Sequence, residues 1–169
     1  MRLLGITPVL GLFAATVAAT PARAAPSQVA TVSATVVKPL TLKWVQDLDL
    51  GTIVLAPGSW SGASVSISQA GVFRCINPNT TCSGLAQAAA YTVSGSNNEV
   101  VRITAPNVTL TNQSDPTKTL TLVVDNPGTV TLDNGGKKGT TFNLGGSIAL
   151  SSATAGGLYI GTFDVTVDY

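Results

Sequence analysis

Eight carboxylates, two cysteines and no histidine set the chemistry open to this chain of 169 residues. Without histidine, a serine or cysteine nucleophile has no imidazole base, and the usual zinc sites lack their nitrogen donors. Cys75 and Cys82 enclose the stretch CINPNTTC, in which Asn77-Pro78-Asn79 forms turns readily. The spacing excludes a CxxC redox motif, and in an oxidising compartment an even pair this close reads as a disulfide. Loop-closure entropy gives about 2.5 kcal/mol for so short a ring, which makes it a local staple and not the agent that holds the fold together.

The carboxylates are Asp47, Asp49, Glu99, Asp115, Asp125, Asp133, Asp164 and Asp168. Asp115, Asp125 and Asp133 stand in turn contexts, where an aspartate bonds to its own backbone. Asp164 and Asp168 share the polar parity of the last strand and are expected to face solvent. Asp47 with Asp49, and the loop at Asp133-Asn134, fall short of the oxygen density of a dedicated calcium site. Nothing selects a pair of carboxylates for glycoside hydrolysis. The expectation is a protein that is not an enzyme, with no catalytic residue, no metal and no cofactor. Trp44, Trp60, Tyr91 and Tyr159 could form a sugar-stacking platform with Trp60 as the exposed ring, although such residues in a small β-domain commonly serve packing. Asn79, Asn107 and Asn112 head Asn-x-Ser/Thr sequons, a triplet that a Thr- and Asn-rich chain produces by chance.

The N-terminus bears on where this chemistry would operate. Arg2, the largely apolar run Leu3 to Ala19 and the small-x-small Ala22-Arg23-Ala24 read as an export signal over residues 1–24, with the mature chain starting at Ala25. No later apolar run approaches the roughly 20 residues of a spanning helix. Loss of Arg2 and Arg23 from nine basic residues leaves seven against eight acidic ones, a net charge of −1. Such a chain has no electrostatic footprint for nucleic acid. The 145 residues that remain of 169 suit one domain with a moderate core, and their Thr, Ser, Val and Gly content is that of an all-β domain.

The chain is patterned most strongly at its end. In GGLYIGTFDVTVDY, Tyr159, Gly161, Phe163, Val165, Val167 and Tyr169 share one parity, and the period of two predicts a strand lying well inside a sheet. Upstream, strands are expected at Ala63 to Ser68, Ala89 to Ser94, Glu99 to Thr104, Val108 to Asn112 and Thr119 to Asp125. Thr129 to Leu132 is expected to form a hairpin across Asp133-Asn134-Gly135-Gly136. Phe142 and Leu144 precede Gly145-Gly146, and Ile148 and Leu150 follow it. No segment is helical; Ser83 to Ala90 tolerates a turn of helix at most. Short strands punctuated by turns predict an antiparallel β-sandwich of Ig-like, Greek-key type over residues 39–169. Residues 25–38 admit two readings, because Lys38-Pro39 interrupts an alternation in which Ala30, Val32, Ala34 and Val36 share a face with Leu40, Leu42 and Trp44. They are either the first half of one long kinked strand or a detachable arm.

LDLGTIV near the mature N-terminus, the central TLTLVVD and the closing GLYIGTFDVTVDY resemble the secreted proteobacterial domain-of-unknown-function 4402 family, which is likened to fimbrial subunits. The resemblance spans residues 30–169 and implies an architecture, since that family has no established activity. A looser likeness is to chaperone–usher pilins, which carry an alternating N-terminal arm, a glycine about fourteen residues from the end and a penultimate aromatic. Gly156 occupies that glycine position, whereas Tyr169 is terminal instead of penultimate. The likeness implies an incomplete sandwich whose groove receives the arm of the next subunit by β-strand addition. Ala30, Val32, Ala34 and Val36 would then be the donor side chains, and Phe163, Val165, Val167 and Tyr169 the acceptor edge. Two valines at about 1.5–2 kcal/mol each make a modest plug. The implied partners are identical or related subunits, a periplasmic chaperone and an outer-membrane usher; the implied destination is the cell surface or a fimbria. The alternative is a self-contained secreted binding module, for instance for carbohydrate.

Overall fold

Runs of β-branched residues alternating with Ser and Thr build thirteen strands in the computed structural model, which describes residues 27–133 and 138–169. The export signal expected at 1–24 lies outside the described residues. The strands are β1 (Thr41–Gln46), β2 (Thr52–Leu55), β3 (Ala63–Ile67), β4 (Phe73–Arg74), β5 (Thr80–Ser83), β6 (Ala89–Ser94), β7 (Val100–Thr104), β8 (Val108–Asn112), β9 (Thr119–Asp125), β10 (Thr129–Thr131), β11 (Thr140–Leu150), β12 (Tyr159–Ile160) and β13 (Thr166–Asp168). No helix occurs among the described residues. The chain divides into two units, residues 1–35 and 36–169. In the first, residues 27–35 have no regular secondary structure and are exposed throughout, with Val29 and Val32 at 96% and 92%. All strands belong to the second unit, and β1 begins only at Thr41.

The fold is an all-β, sandwich-type arrangement of antiparallel sheets. The largest runs β1-β6-β11-β9-β8-β12, with β3 on β11 and β4 on β3; a second runs β10-β7-β13, and β2 pairs with β5. β11 is the spine. Its first half pairs with β6 and its second half with β3 and β9, so one strand serves two cores. Phe142 and Leu144 enter a cluster with Val93, Val101, Ile103 and Leu132, while Ile148 and Leu150 enter one with Val65, Ile67, Val108 and Leu122. Leu48, Val124 and Phe163 pack on both clusters. The glycine pair expected to separate two segments lies inside this continuous strand. A Cβ on Gly145 would stand 2.3 Å from the Ile67 carbonyl oxygen, so the pair permits close approach of the neighbouring chain and does not make a turn.

Two other expectations change. β10 pairs with β7, Val130 opposite Val101, and not with the strand that follows it. Leu132 takes part in this by donating its amide to Glu99 O and accepting from Asn98 N, and it is fully buried. Burial of Val130 and Leu132 against β7 outweighs the local hairpin signal, whose residues 134–136 lie outside the described residues. The C-terminal stretch does not form one strand inside a sheet either. β12 is the last strand of the large sheet and β13 the last of the three-stranded one, with residues 161–165 in no ladder between them. The alternation persists across the break: Tyr159, Gly161, Phe163, Val165 and Val167 are half-buried, and the residues between them are exposed.

Candidate functional site: an apolar cleft in the sandwich

A cleft of about 850 Å³ opens onto the first of the two cores. Leu110 and Leu120 of β8 and β9 line it together with the buried Leu122, Ile148 and Leu150. Residues 47–55, including β2, line it from one segment, and residues 154–163, including β12, from another. Leu48, Ile53, Leu55 and Phe163 are only half-buried where they meet it. Their apolar surface is thus incompletely removed from water, at about 25 cal/mol per Å² still to be gained by covering it.

Each flanking segment is held by identifiable bonds. Asp49 exchanges both backbone hydrogen bonds with Gln87 at 2.8 Å, and its carboxylate accepts from Gly51 N at 2.8 Å. β2 then pairs with β5, Ile53 opposite Cys82, and the Cys75–Cys82 disulfide staples β5 to the chain before it. On the other flank the organiser is Asn112, only 1% exposed. Its Nδ2 donates to Gly156 O at 3.0 Å, and its Oδ1 accepts from Ser114 N and Asp115 N. Gln113 N donates to Leu158 O, and the Tyr159 hydroxyl donates to Ala155 O, both at 2.8 Å. Residue type alone marks Asn112 as the head of a sequon at the end of a strand. The available signal was its parity, shared with the inward Val108 and Leu110, where a polar residue must find buried partners. With that amide buried and committed, the folded chain offers no glycan acceptor there.

Tyr91 lines the cleft, and Trp44 and Phe142 stand in register with it across β1, β6 and β11. The Tyr91 and Phe142 rings stack at 5.7 Å between centroids. The Trp44 indole donates to Asp47 Oδ1 at 3.0 Å, and burial together with the Asp47 carboxylate raises the Tyr91 phenol above its ordinary pKa. Trp44 is 57% exposed, whereas Trp60 donates its indole N–H to Ala56 O and packs on the first core. The exposed ring is therefore Trp44, not Trp60. An aromatic at this sandwich edge stays open because β1 is a terminal strand, a placement that residue type alone does not disclose.

Asp115 bonds within its own turn, as its context predicts, whereas Asp125 is bonded by a residue 56 positions away. Asp115 accepts from the Thr117 hydroxyl and amide, which lowers its pKa, and Asp125 accepts from Gln69. No three His, Cys, Asp or Glu residues among those described converge as a metal site. No helix among them is long and apolar enough to cross a membrane.

Of the expected donor side chains, Ala30, Val32 and Ala34 lie in the exposed residues 27–35, and Val36, 91% exposed, opens the second unit. Of the expected acceptor residues, Phe163 lines the cleft. Val165 and Val167 pack on the second core, Val167 opposite Ile103, and Tyr169 bonds through its hydroxyl to Lys38 O and Ser96 N.

The chain matches the model of a family described as a domain of unknown function, DUF4402, over residues 40–169. It belongs to that family. The match starts one residue before β1 and so takes in every strand described above. No curated protein and no solved structure matches the chain.

Proposed function

We propose that the protein is a non-enzymatic structural subunit, exported and assembled at the cell surface in the manner of a pilin, by β-strand complementation between copies. The observation that carries this reading is the open apolar cleft of about 850 Å³ in a β-sandwich whose N-terminal residues 27–35 are fully exposed and bear unpartnered valines. A sandwich with half-covered core leucines gains by accepting one more strand, and a strand is recognised through main-chain hydrogen bonds with pockets for alternate side chains. Residues 27–37 contain no charge and alternate small polar with aliphatic residues, which suits a strand buried on one face. Identical subunits are the primary partners; a periplasmic chaperone would shield the cleft before assembly, and an outer-membrane usher would be the site of exchange.

The test compares the exported chain with a form lacking residues 27–35 but retaining Val36 to Pro39, so that the Tyr169 bond to Lys38 is preserved. The intact chain is expected to elute as a concentration-dependent series of oligomers. The deleted form is expected to lose that series, and grafting residues 27–37 after Tyr169 through a flexible linker should return a monomer with a higher melting temperature. Oligomers that survive the deletion would reject the proposal. A second reading, a carbohydrate-binding module, is favoured by the exposed Trp44 beside Asp47. Glycan-array binding that disappears in Trp44→Ala, in a chain monomeric at all concentrations, would replace the first reading with the second.

A further inference from the structure

Two strand edges that border the cleft make no ladder among the described residues. β2 pairs only with β5, and β12 pairs only with β8. Both contribute to the lining, through Ile53 and Leu55 on one flank and Tyr159 and Ile160 on the other. Exposed aliphatic residues mark the same two edges, Val54 at 57% and Ile160 at 48%. An unpaired, apolar strand edge is a template for another chain, and proteins ordinarily protect such edges with charge, proline or a cover. Here neither edge carries a charge or a proline within the strand.

We propose that the incoming strand is residues 29–36 of a second copy, seated in the seam between β2 and β12 and running antiparallel to β2. This rests on the strand-complementation reading above and assigns its site and direction. The seam is chosen over the outer edge of β13 because the cleft lies at β2 and β12, whereas Val165 and Val167 already pack on Val101 and Ile103. Direction follows from charge. Residues 25–37 carry no charged side chain; Lys38 stands two residues beyond the seated segment, whereas the α-ammonium of a chain starting at Ala25 stands four residues before it. Asp47 and Asp49 line the cleft on the chain leading into β2, ahead of Thr52. Lys38 of the donor lies nearest those carboxylates when the donor's C-terminal end meets the N-terminal end of β2, which is the antiparallel sense shared by every strand pair in the fold. Eight extended residues span roughly 26 Å, longer than the four residues of β2 at about 13 Å, so a donor can pair along all of β2 and extend past it towards Asp49. In that position Val32 and Val36 cover the half-buried leucines, with the small Ala34 between them and Ala30 beyond Val32.

The experiment places a benzophenone amino acid at position 29 or at position 36 of the full exported chain and mixes isotope-labelled with unlabelled copies before irradiation. Cross-linked peptides identify the captured residues, and mixed labels identify capture between copies. The expected result is capture by residues 49–52 and 158–163 from position 36, and by residues around Leu55 from position 29. Amide exchange at Thr52–Leu55 and Tyr159–Ile160, measured on the unsubstituted chain, should slow at least tenfold in oligomers relative to monomer. Asp47→Asn with Asp49→Asn should slow association about threefold to tenfold at low salt, a difference that fades at high salt. Oligomers whose cross-links fall at residues 165–169 or on β1, or whose two positions capture in the opposite order, would overturn the seam or its direction while leaving strand complementation in place. Cross-links only within one copy, or a chain that stays monomeric with a small apolar molecule in the cleft, would overturn both.

Discussion

The hydroxyl of Tyr169, the last residue, donates to the carbonyl of Lys38, three residues before β1 begins. The same oxygen accepts from Ser96 N at 2.9 Å, and Ser96 Oγ in turn accepts from Lys38 N at 2.6 Å. One phenol thus joins the chain end, the β6–β7 turn and the segment entering β1. Gly95 lies beneath the node, where a Cβ would stand 2.6 Å from the Tyr169 hydroxyl and 2.7 Å from Leu40 Cδ2. The terminal aromatic anchors the point from which residues 36 and 37 lead back towards the arm.

Tyr169→Phe keeps the ring and removes these bonds. The residue is 45% exposed, so water replaces part of what is lost. The expected cost is about 1 kcal/mol, a fall in Tm of roughly 3–6 °C. Amide exchange at Leu40 and Ser96 should accelerate while the β9 and β11 amides keep their protection. Unchanged exchange at both positions would show that the node does not anchor the entry to β1.

Gly145→Ala tests the spine. Its Cβ would meet the Ile67 carbonyl at 2.3 Å in the middle of β11, where backbone cannot yield without breaking the ladder to β3. A loss of about 3 kcal/mol or more is expected by denaturant unfolding. Gly156→Ala is the control, since nothing lies within 4 Å of a Cβ there; its effect should stay within about 0.5 kcal/mol.

Local pattern is sufficient for several strands and insufficient at Gly145-Gly146 and β10. The spans Ala89 to Ser94, Val108 to Asn112 and Thr119 to Asp125 are read correctly to the residue, because alternation over five to seven residues determines which face is buried. The meaning of Gly145-Gly146 is not readable this way, since a glycine that admits a neighbouring carbonyl and one that turns the chain look alike. The partner of β10 is equally hidden: Asp133-Asn134-Gly135-Gly136 carries strong hairpin chemistry, yet Val130 is opposite Val101 across a large separation in sequence. The cleft is legible only in part. The parity of Phe163 indicates an inward face and only the likeness to pilins places it at an acceptor edge, while β2 as an opposing flank depends on sheet order, which no periodicity encodes.

Asn112→Ala removes the amide that holds Gly156 O, Ser114 N and Asp115 N. The substitution leaves these backbone groups without their partner beside a buried void, at an expected cost of about 2–3 kcal/mol. Because two of the three bonds lie in the turn after β8 and the third reaches the cleft flank, faster amide exchange should appear at both the turn and residues 156–160. Loss of stability with no change at 156–160 would confine the residue's role to the turn.

The alkaline limb of stability provides the last test, at Tyr91. Burial first, and the Asp47 carboxylate second, raise its phenol above the ordinary value of 10.0. The native state therefore holds this proton more tightly than the unfolded chain does. Its stabilising contribution is complete below pH 10.0 and is lost as pH rises from there through the native pKa, because the unfolded phenol ionises first. Asp47→Asn should bring the Tyr91 titration part of the way down, leaving the displacement due to burial, and Tyr91→Phe should flatten the decline of Tm above pH 10. Phenolate absorbance of the native protein, less that of Tyr91→Phe, isolates this group from Tyr159 and Tyr169. A Tyr91 midpoint unmoved by Asp47→Asn would place the carboxylate too far from the phenol to act on it and leave burial as the cause of the displacement.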